Sequence, residues 1–436
     1  MGQRWAYVEL VGVETDVRAI ATDRLVVRST AIHDPGDLIA QLPQPDAVAW
    51  IRRGEGLAGW GEAARVTLPA GVDRFTVAEK WLRSLLDTAE VDDQVGVPGS
   101  GPVAFGSFTF DAASDGSVLV LPRTVVGRRD GHAWLTTIEA GPAAGDSPQP
   151  VAAPGHIRWH DGSLTAPQWE QAVAAAVSSI KAGQLRKAVL ARDLHATASG
   201  PLDVRVLLAR LAARYPDCYT FASAGLVGAT PELLIRREGG QVSSLVLAGT
   251  FPRGSDQARD EALGAALLAS AKENEEHGYV VAGVREALTP LCAELTVDAR
   301  PFLLRLANLQ HLATWVTGTL PAPDQAGRTG IPSALALAAA LHPTPAICGT
   351  PTEAAMEVIR DLEGMDRGRY TGPVGWLDAR GNGEWGIALR CAQVDGNRAR
   401  LFAGCGIVAG SEPEAELAET LVKFAPMQDA LERPEV

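Results

Sequence analysis

Apolar and polar positions change period several times along this chain, and the changes divide it into recognisable elements. In the first part, Arg24–Ser29, Val103–Phe110 and Ser117–Leu121 alternate between Gly, Pro and Asp clusters, a pattern that predicts strands. Gly141–Gly155, rich in Ala, Pro and Gly, reads as a surface connection. Beyond it the period becomes helical: Trp169, Val173, Val177 and Ile180 form one stripe, Thr165 and Gln168 have capping-box spacing, and Gly183 can end the helix. Arg186–Ala196 then alternates, which puts Lys187, Val189 and Ala191 on one face of a strand.

Two later helices are expected, from about Asp260 to Leu288, where Pro290 stops it, and from Glu412 to Leu431. Between them, Tyr370–Leu377, Gly383–Val394 and Ala399–Val408 read as consecutive antiparallel strands joined by Gly and Asn turns. Long helices alternating with runs of hairpin strands indicate an α+β fold.

Composition narrows the class. With 436 residues, 46% hydrophobic and 21% charged, the chain can bury a large core. No apolar run reaches the length that spans a bilayer, and the first residues lack the apolar core of a signal peptide. Five scattered cysteines without a Cys-x-x-Cys pair argue against a disulfide framework or zinc site and for a reducing cytoplasm. A net charge of −13 disfavours nucleic acid and anionic membranes as partners, so an anionic substrate would need local cations or a metal.

Two constellations carry candidate chemistry. Glu273 with Glu276, and Glu416 with Glu419, each place two carboxylates on one helical face; together they could hold a hard cation such as Mg²⁺, although such pairs are more often solvated surface. The second constellation is Lys187, Glu232, His311, Tyr370 and Arg390, with glycines at Gly249, Gly404 and Gly406. Arg390 lies in a predicted apolar strand, Gly386–Val394, where an unpaired guanidinium calls for an anion. The others each have a plain structural reading: an edge lysine, a turn carboxylate, a hydrogen-bonded core histidine, and glycines at bulges or turns. No dinucleotide fingerprint, P-loop or Gly-x-Ser-x-Gly elbow occurs. Taken from the residues alone, this is an anion-binding α+β enzyme.

Nine blocks in order say more. They are Lys187-Ala-Val-Leu-Ala-Arg192, Ala229-Thr-Pro-Glu-Leu233, Leu247-Ala-Gly-Thr250, Lys272-Glu-Asn-Glu-Glu-His277, Leu309-Gln-His-Leu312, His342-Pro-Thr-Pro-Ala346, Arg369-Tyr-Thr-Gly-Pro373, Ala388-Leu-Arg-Cys391, and Ala403-Gly-Cys-Gly-Ile-Val408 followed by Glu416-x-x-Glu419. Together they resemble the chorismate-utilising enzymes. The resemblance implies a single large α+β domain, two antiparallel β-sheets packed as a sandwich with helices outside, in which residues 1–150 form the weakly matched amino-terminal part and 156–434 the chorismate-binding region. It implies Lys187 as the base that activates water for attack at C2 and Glu232 as the acid that protonates the departing C4 hydroxyl. Lys187 must then shed a proton it would ordinarily hold, and Glu232 must keep one it would ordinarily lose.

By the same resemblance Glu276 and Glu419 are Mg²⁺ ligands, with Glu273 and Glu416 as companion carboxylates. Arg390 and Tyr370 would grip the enolpyruvyl carboxylate, Gly404 and Gly406 would allow close backbone approach, and Gly249, His311, Ala346, Leu389 and Lys423 would line the substrate and metal region. Within the family the chain is most similar to isochorismate synthases, which supply menaquinone or catechol siderophore synthesis. Lys187, where anthranilate synthases carry glutamine, favours water over ammonia and implies no glutaminase subunit; Ala248 stands where many aminodeoxychorismate synthases carry a nucleophilic lysine; Ala346 stands where salicylate synthases, the alternative reading, usually place threonine. Cys405 between two glycines and Leu417 depart mildly from the family pattern. The implied protein is a cytoplasmic monomer or homodimer acting on chorismate.

Overall fold

The computed structural model describes residues 8–10, 13–19, 24–71, 73–139, 147–322 and 330–432, so part of the predicted Gly141–Gly155 connection lies outside the described residues. Two sheets pack face to face, and they share strands. One sheet runs from Leu309–Thr319 through Gln241–Pro252, Leu233–Glu238, Gly383–Ile387, Pro373–Asp378 and Val103–Ser107. The other runs from Lys187–Ala198 through Arg398–Ile407, Cys391–Asp395, Leu226–Thr230, Tyr219–Ser223 and Ala47–Arg52.

The long strands Glu55–Leu68 and Ser117–Arg129 belong to both. Ser117–Leu121 pairs with Ala64–Leu68 beside the first sheet, whereas Thr124–Arg128 pairs with Gly56–Trp60 beside the second. Between these halves the register slips at Glu62 and Ala64, and Gly61 takes a positive φ of 66°. A bulge with a left-handed residue turns a strand from one layer to the next. All described pairings are antiparallel except Val26–Ala31 with Glu90–Asp93.

The core follows from this arrangement. Trp50, Phe221 and Phe402 of one sheet meet Phe105, Trp376 and Leu245 of the other. Helices Arg74–Leu86, Ala271–Leu288 and Ala334–Leu341 cover the outer face of the first sheet, and Ala166–Lys181, Val204–Arg214 and Pro413–Glu432 that of the second. In Ala166–Lys181 the predicted stripe is buried, Gln168 accepts from the Thr165 amide, and Gly183 follows at φ 78°. No helix among the described residues is long and apolar enough to cross a membrane, and all five cysteines are free.

Two predicted elements break. The helix expected over Asp260–Leu288 is two, Gln257–Ala269 and Ala271–Leu288, parted at Ser270, whose backbone is extended and whose hydroxyl accepts from the Glu273 amide. A serine that satisfies an orphan amide starts a new helix rather than continuing the old one. The strand expected over Gly383–Val394 is also two, Gly383–Ile387 and Cys391–Asp395, because Arg390 is left-handed at φ 49°. Likewise Tyr370 precedes its strand, Pro373–Asp378, rather than opening it.

An alanine at position 61 would hold an L-residue in the left-handed region and bring its Cβ to 3.2 Å from that of Arg123. Gly61→Ala should therefore lower the unfolding free energy by about 1–2 kcal/mol, read as an earlier urea midpoint.

Candidate active site

The strand that carries Lys187 is placed by register. Lys187–Ala198 pairs along its length with Arg398–Ile407, setting Val189 opposite Gly406 and Ala191 opposite Gly404. Lys187 and Val189 open onto a cavity, while Ala191, predicted on the same face, is buried in the core between the sheets. The Lys187 side chain is 11% exposed, and its Nζ donates to Glu276 Oε1 at 2.5 Å. A Cβ on residue 406 would stand 2.9 Å from Lys187 Cε and 3.2 Å from Glu276 Oε1, so this glycine makes room for the lysine–carboxylate pair. At residue 404 a Cβ would instead meet Leu190 O of the adjacent strand at 2.8 Å; that glycine serves strand approach.

Glu232 enters from the end of Leu226–Thr230, held by its carbonyl accepting from the Ile387 amide at 3.2 Å. It is 7% exposed. Burial pushes its carboxyl up to about 8, against the opposing pull of Arg390 and then Lys187. Arg390 comes from the break before Cys391–Asp395, where its carbonyl accepts from the Ala229 amide. Among the described residues no carboxylate forms an ion pair with its guanidinium, and its backbone is a left-handed turn rather than the predicted strand. Tyr370 is buried and stacks on Phe402 at 5.0 Å, with burial raising its hydroxyl pKa.

His311 lies on the strand Leu309–Thr319. Its Nδ1 is 3.0 Å from Thr250 Oγ1, and its Nε2 is buried with no protein partner. Burial, with Arg390 and Lys423 nearby, lowers it to about 3 and keeps it neutral. Thr250 follows a bulge at Gly249, where φ is 72° and a Cβ would be 3.0 Å from Glu273 Oε2.

The four acidic residues arrive on two helices. Ser270 starts the helix carrying Glu273 and Glu276, and Pro413–Glu432 carries Glu416, Glu419 and Lys423. Lys423 Nζ lies 2.5 Å from Glu419 Oε1 and donates to Gly404 O at 2.8 Å. Burial raises the Glu273 pKa, and Glu276 and then Glu419 add to it, so the two helices share one negative field. Among the described residues no three acidic, histidine or cysteine side chains are drawn tightly enough to make a ready metal cage. The donors are nonetheless all hard oxygens, and Mg²⁺ needs only one or two protein carboxylates beside water and substrate oxygens. The donor chemistry fits Mg²⁺, provided the lysine contacts to Glu276 and Glu419 yield.

All fifteen residues singled out from the sequence line this cavity, Ala346 and Leu389 included. Thr371, Ile347 and Lys272 line it as well, and were not assigned a part; Thr371, left-handed at φ 61°, carries no sequence signal beyond its turn-rich neighbours.

A polar cavity at the edge of a shared-strand sandwich, with a buried protonated carboxyl, an unpaired guanidinium and facing carboxylates, defines an α+β enzyme for a small anionic substrate. Residues 144–432 match the family model described as chorismate binding enzyme, and the chain belongs to that family. It is similar to isochorismate synthase DhbC of Bacillus subtilis (strain 168), 39% identical over 344 residues, covering 76% of this chain and 81% of that one. Isochorismate synthase MenF of the same organism is 36% identical over 360 residues, covering 76% and 75%. Among solved structures, MenF, the menaquinone-specific isochorismate synthase from Escherichia coli, superposes with a TM-score of 0.75 at 26% identity, over 95% of this chain and 96% of that one.

The buried carboxyl sets a pH dependence. Between about pH 4.5 and 8 the unfolded chain releases the Glu232 proton while the folded chain keeps it, so this group's contribution falls as pH rises through that window. Glu232→Gln should therefore be more stable than wild type at pH 9, by roughly 2–4 kcal/mol, with the difference vanishing below about pH 4.5. Thermal melts of both proteins across this range check the sign.

Proposed function

We propose that this protein is an isochorismate synthase, converting chorismate to isochorismate by attack of water at C2 and loss of the C4 hydroxyl. The observation that carries the reading is the pairing, in one cavity, of Lys187 with a Glu232 carboxyl that burial keeps protonated near neutral pH. Glu232 then holds the proton the departing hydroxyl needs, and Lys187 is the group placed to take one from water. In the resting site Lys187 donates to Glu276, so release of that contact precedes its action as a base.

Arg390 supplies the fixed positive charge for a substrate carboxylate, and Tyr370, anchored on Phe402, borders the same region. His311 offers a neutral Nε2 that a substrate oxygen can engage. Glu276 and Glu419, backed by Glu273 and Glu416, would hold Mg²⁺, whose charge when bound would balance the carboxylate of the ring. Water as nucleophile requires no ammonia-supplying subunit. Ala346, a small side chain at the cavity wall, fits release of isochorismate without pyruvate elimination, and the similarity to proteins named MenF and DhbC is compatible with either a menaquinone or a siderophore route.

Purified protein given chorismate and Mg²⁺ should form isochorismate with little pyruvate, followed by chromatography; pyruvate and salicylate appearing in step, with no isochorismate phase, would assign it to salicylate synthesis. A chelator should abolish this turnover and excess Mg²⁺ restore it, whereas full activity in chelator would remove the metal from the reading. Lys187→Ala and Glu232→Ala should each slow turnover at least about 10²-fold while chorismate binding, measured by calorimetry, largely survives.

A further inference from the structure

Behind the cavity, outside its lining, lies a buried ion pair between Glu363 and Arg367, whose side chains are 1% and 2% exposed. Arg367 donates from Nε to Glu363 Oε2 at 2.9 Å, and its two terminal nitrogens reach three different segments. One donates to Ile347 O at 2.9 Å and Thr371 Oγ1 at 3.2 Å; the other donates to Val189 O at 2.6 Å. Glu363 Oε1 in turn accepts from the Ala191 amide at 2.7 Å. The guanidinium lies over the Phe110 ring, 4.2 Å from its centroid, which closes the remaining side.

Each of the three segments is a wall of the site. Val189 is two residues from Lys187, Ile347 adjoins Ala346, and Thr371 adjoins Tyr370; all three line the cavity themselves. Thr371 also passes the connection on, because its amide donates to Ala388 O, next to Leu389 and Arg390. We infer that the Glu363–Arg367 pair is a positioning device that sets the spacing between the lysine strand, the Ala346 loop and the Tyr370–Arg390 wall. An i,i+4 Glu–Arg pair on a helix surface would contribute little. Here the pair is enclosed, and a planar fork with five donors joins three chain segments that are far apart in sequence. A lysine at 367 would keep the charge and lose the fork.

The effect on turnover rests on the isochorismate synthase reading; the effect on the walls does not. Arg367→Lys should bind one chorismate per chain by calorimetry, with Kd within about threefold of wild type, yet turn over at least about tenfold more slowly, because small misplacement of reacting groups is costly. Its amide exchange should quicken in three segments, 187–191, 345–349 and 370–373, and stay as in wild type in Val103–Ser107. Full stoichiometry separates misalignment from a partly unfolded sample. Should Arg367→Lys fail to fold, the double variant E363Q/R367M removes both charges, which buried pairs often tolerate, and leaves an acceptor for the Ala191 amide. Turnover within twofold of wild type, exchange unchanged in the three segments, or stoichiometry falling in parallel with rate would overturn the inference. A wild type that binds chorismate but makes no isochorismate overturns the functional reading instead, and the exchange measurement still decides the clamp.

Discussion

The register between Lys187–Ala198 and Arg398–Ile407 is the constraint on which the site depends. Side chains along a strand alternate, so a slip of one residue would turn Lys187 into the wrong layer and remove Gly406 from beside it. With the observed pairing, Val189 faces Gly406 and the lysine passes over a residue without a side chain to reach Glu276. The same strand delivers the chain into Pro413–Glu432, so Glu416, Glu419 and Lys423 are fixed by the same ladder. Lys423 closes the loop by donating back to Gly404 O. One ladder therefore places Lys187, two acidic residues and a second lysine in a single frame.

Electrostatics then differentiates groups that the sequence presents as equals. The chain carries a net charge of −13, yet the cavity gathers Lys187, Lys272, Arg390 and Lys423 among its carboxylates. Glu232, enclosed, is pushed to the protonated form by burial, whereas Glu276 and Glu419 each sit against an ammonium. Environment thus separates a protonated carboxyl from candidate cation ligands. Arg390, without a carboxylate partner among the described residues, sits at a left-handed turn that interrupts the strand in which an unpaired charge would be costly.

Much of this was legible in the residues, and the failures have physical causes. Ala166–Lys181 was readable because its stripe, capping box and terminal glycine agree. The helix over Asp260–Leu288 was read as continuous because its residues favour helix on both sides; Ser270 breaks it through one hydroxyl-to-amide bond, which composition does not reveal. Arg390 looked like a strand residue because alternation says nothing about the sign of φ. The cavity residues came from ordered blocks and a resemblance more than from spacing, since two Glu-x-x-Glu pairs alone are ordinary helix surface. Glu363 and Arg367 carry no sequence signal for the same reason: their spacing is that of a solvated i,i+4 pair, and only the packing of Phe110, Val189, Ile347 and Thr371 around them makes it a buried one.

Function here opposes local stability, and the architecture shows how the opposition is contained. A buried protonated carboxyl, a neutral histidine with an unsatisfied nitrogen and a Glu273 carboxyl whose pKa is raised by burial and by its acidic neighbours all weaken the region in which they sit. None of them lies in the aromatic interior between the sheets; they collect where strands end, helices begin and backbones turn left-handed. The two strands common to both sheets, with Trp50, Phe105, Phe221, Trp376 and Phe402 packed between the layers, form a frame that does not rely on the cavity for cohesion. Strain at a site persists when the surrounding structure over-determines it. The cavity walls can therefore be held by directional bonds, such as those of Arg367, instead of by close packing, which leaves the space between them open to a substrate.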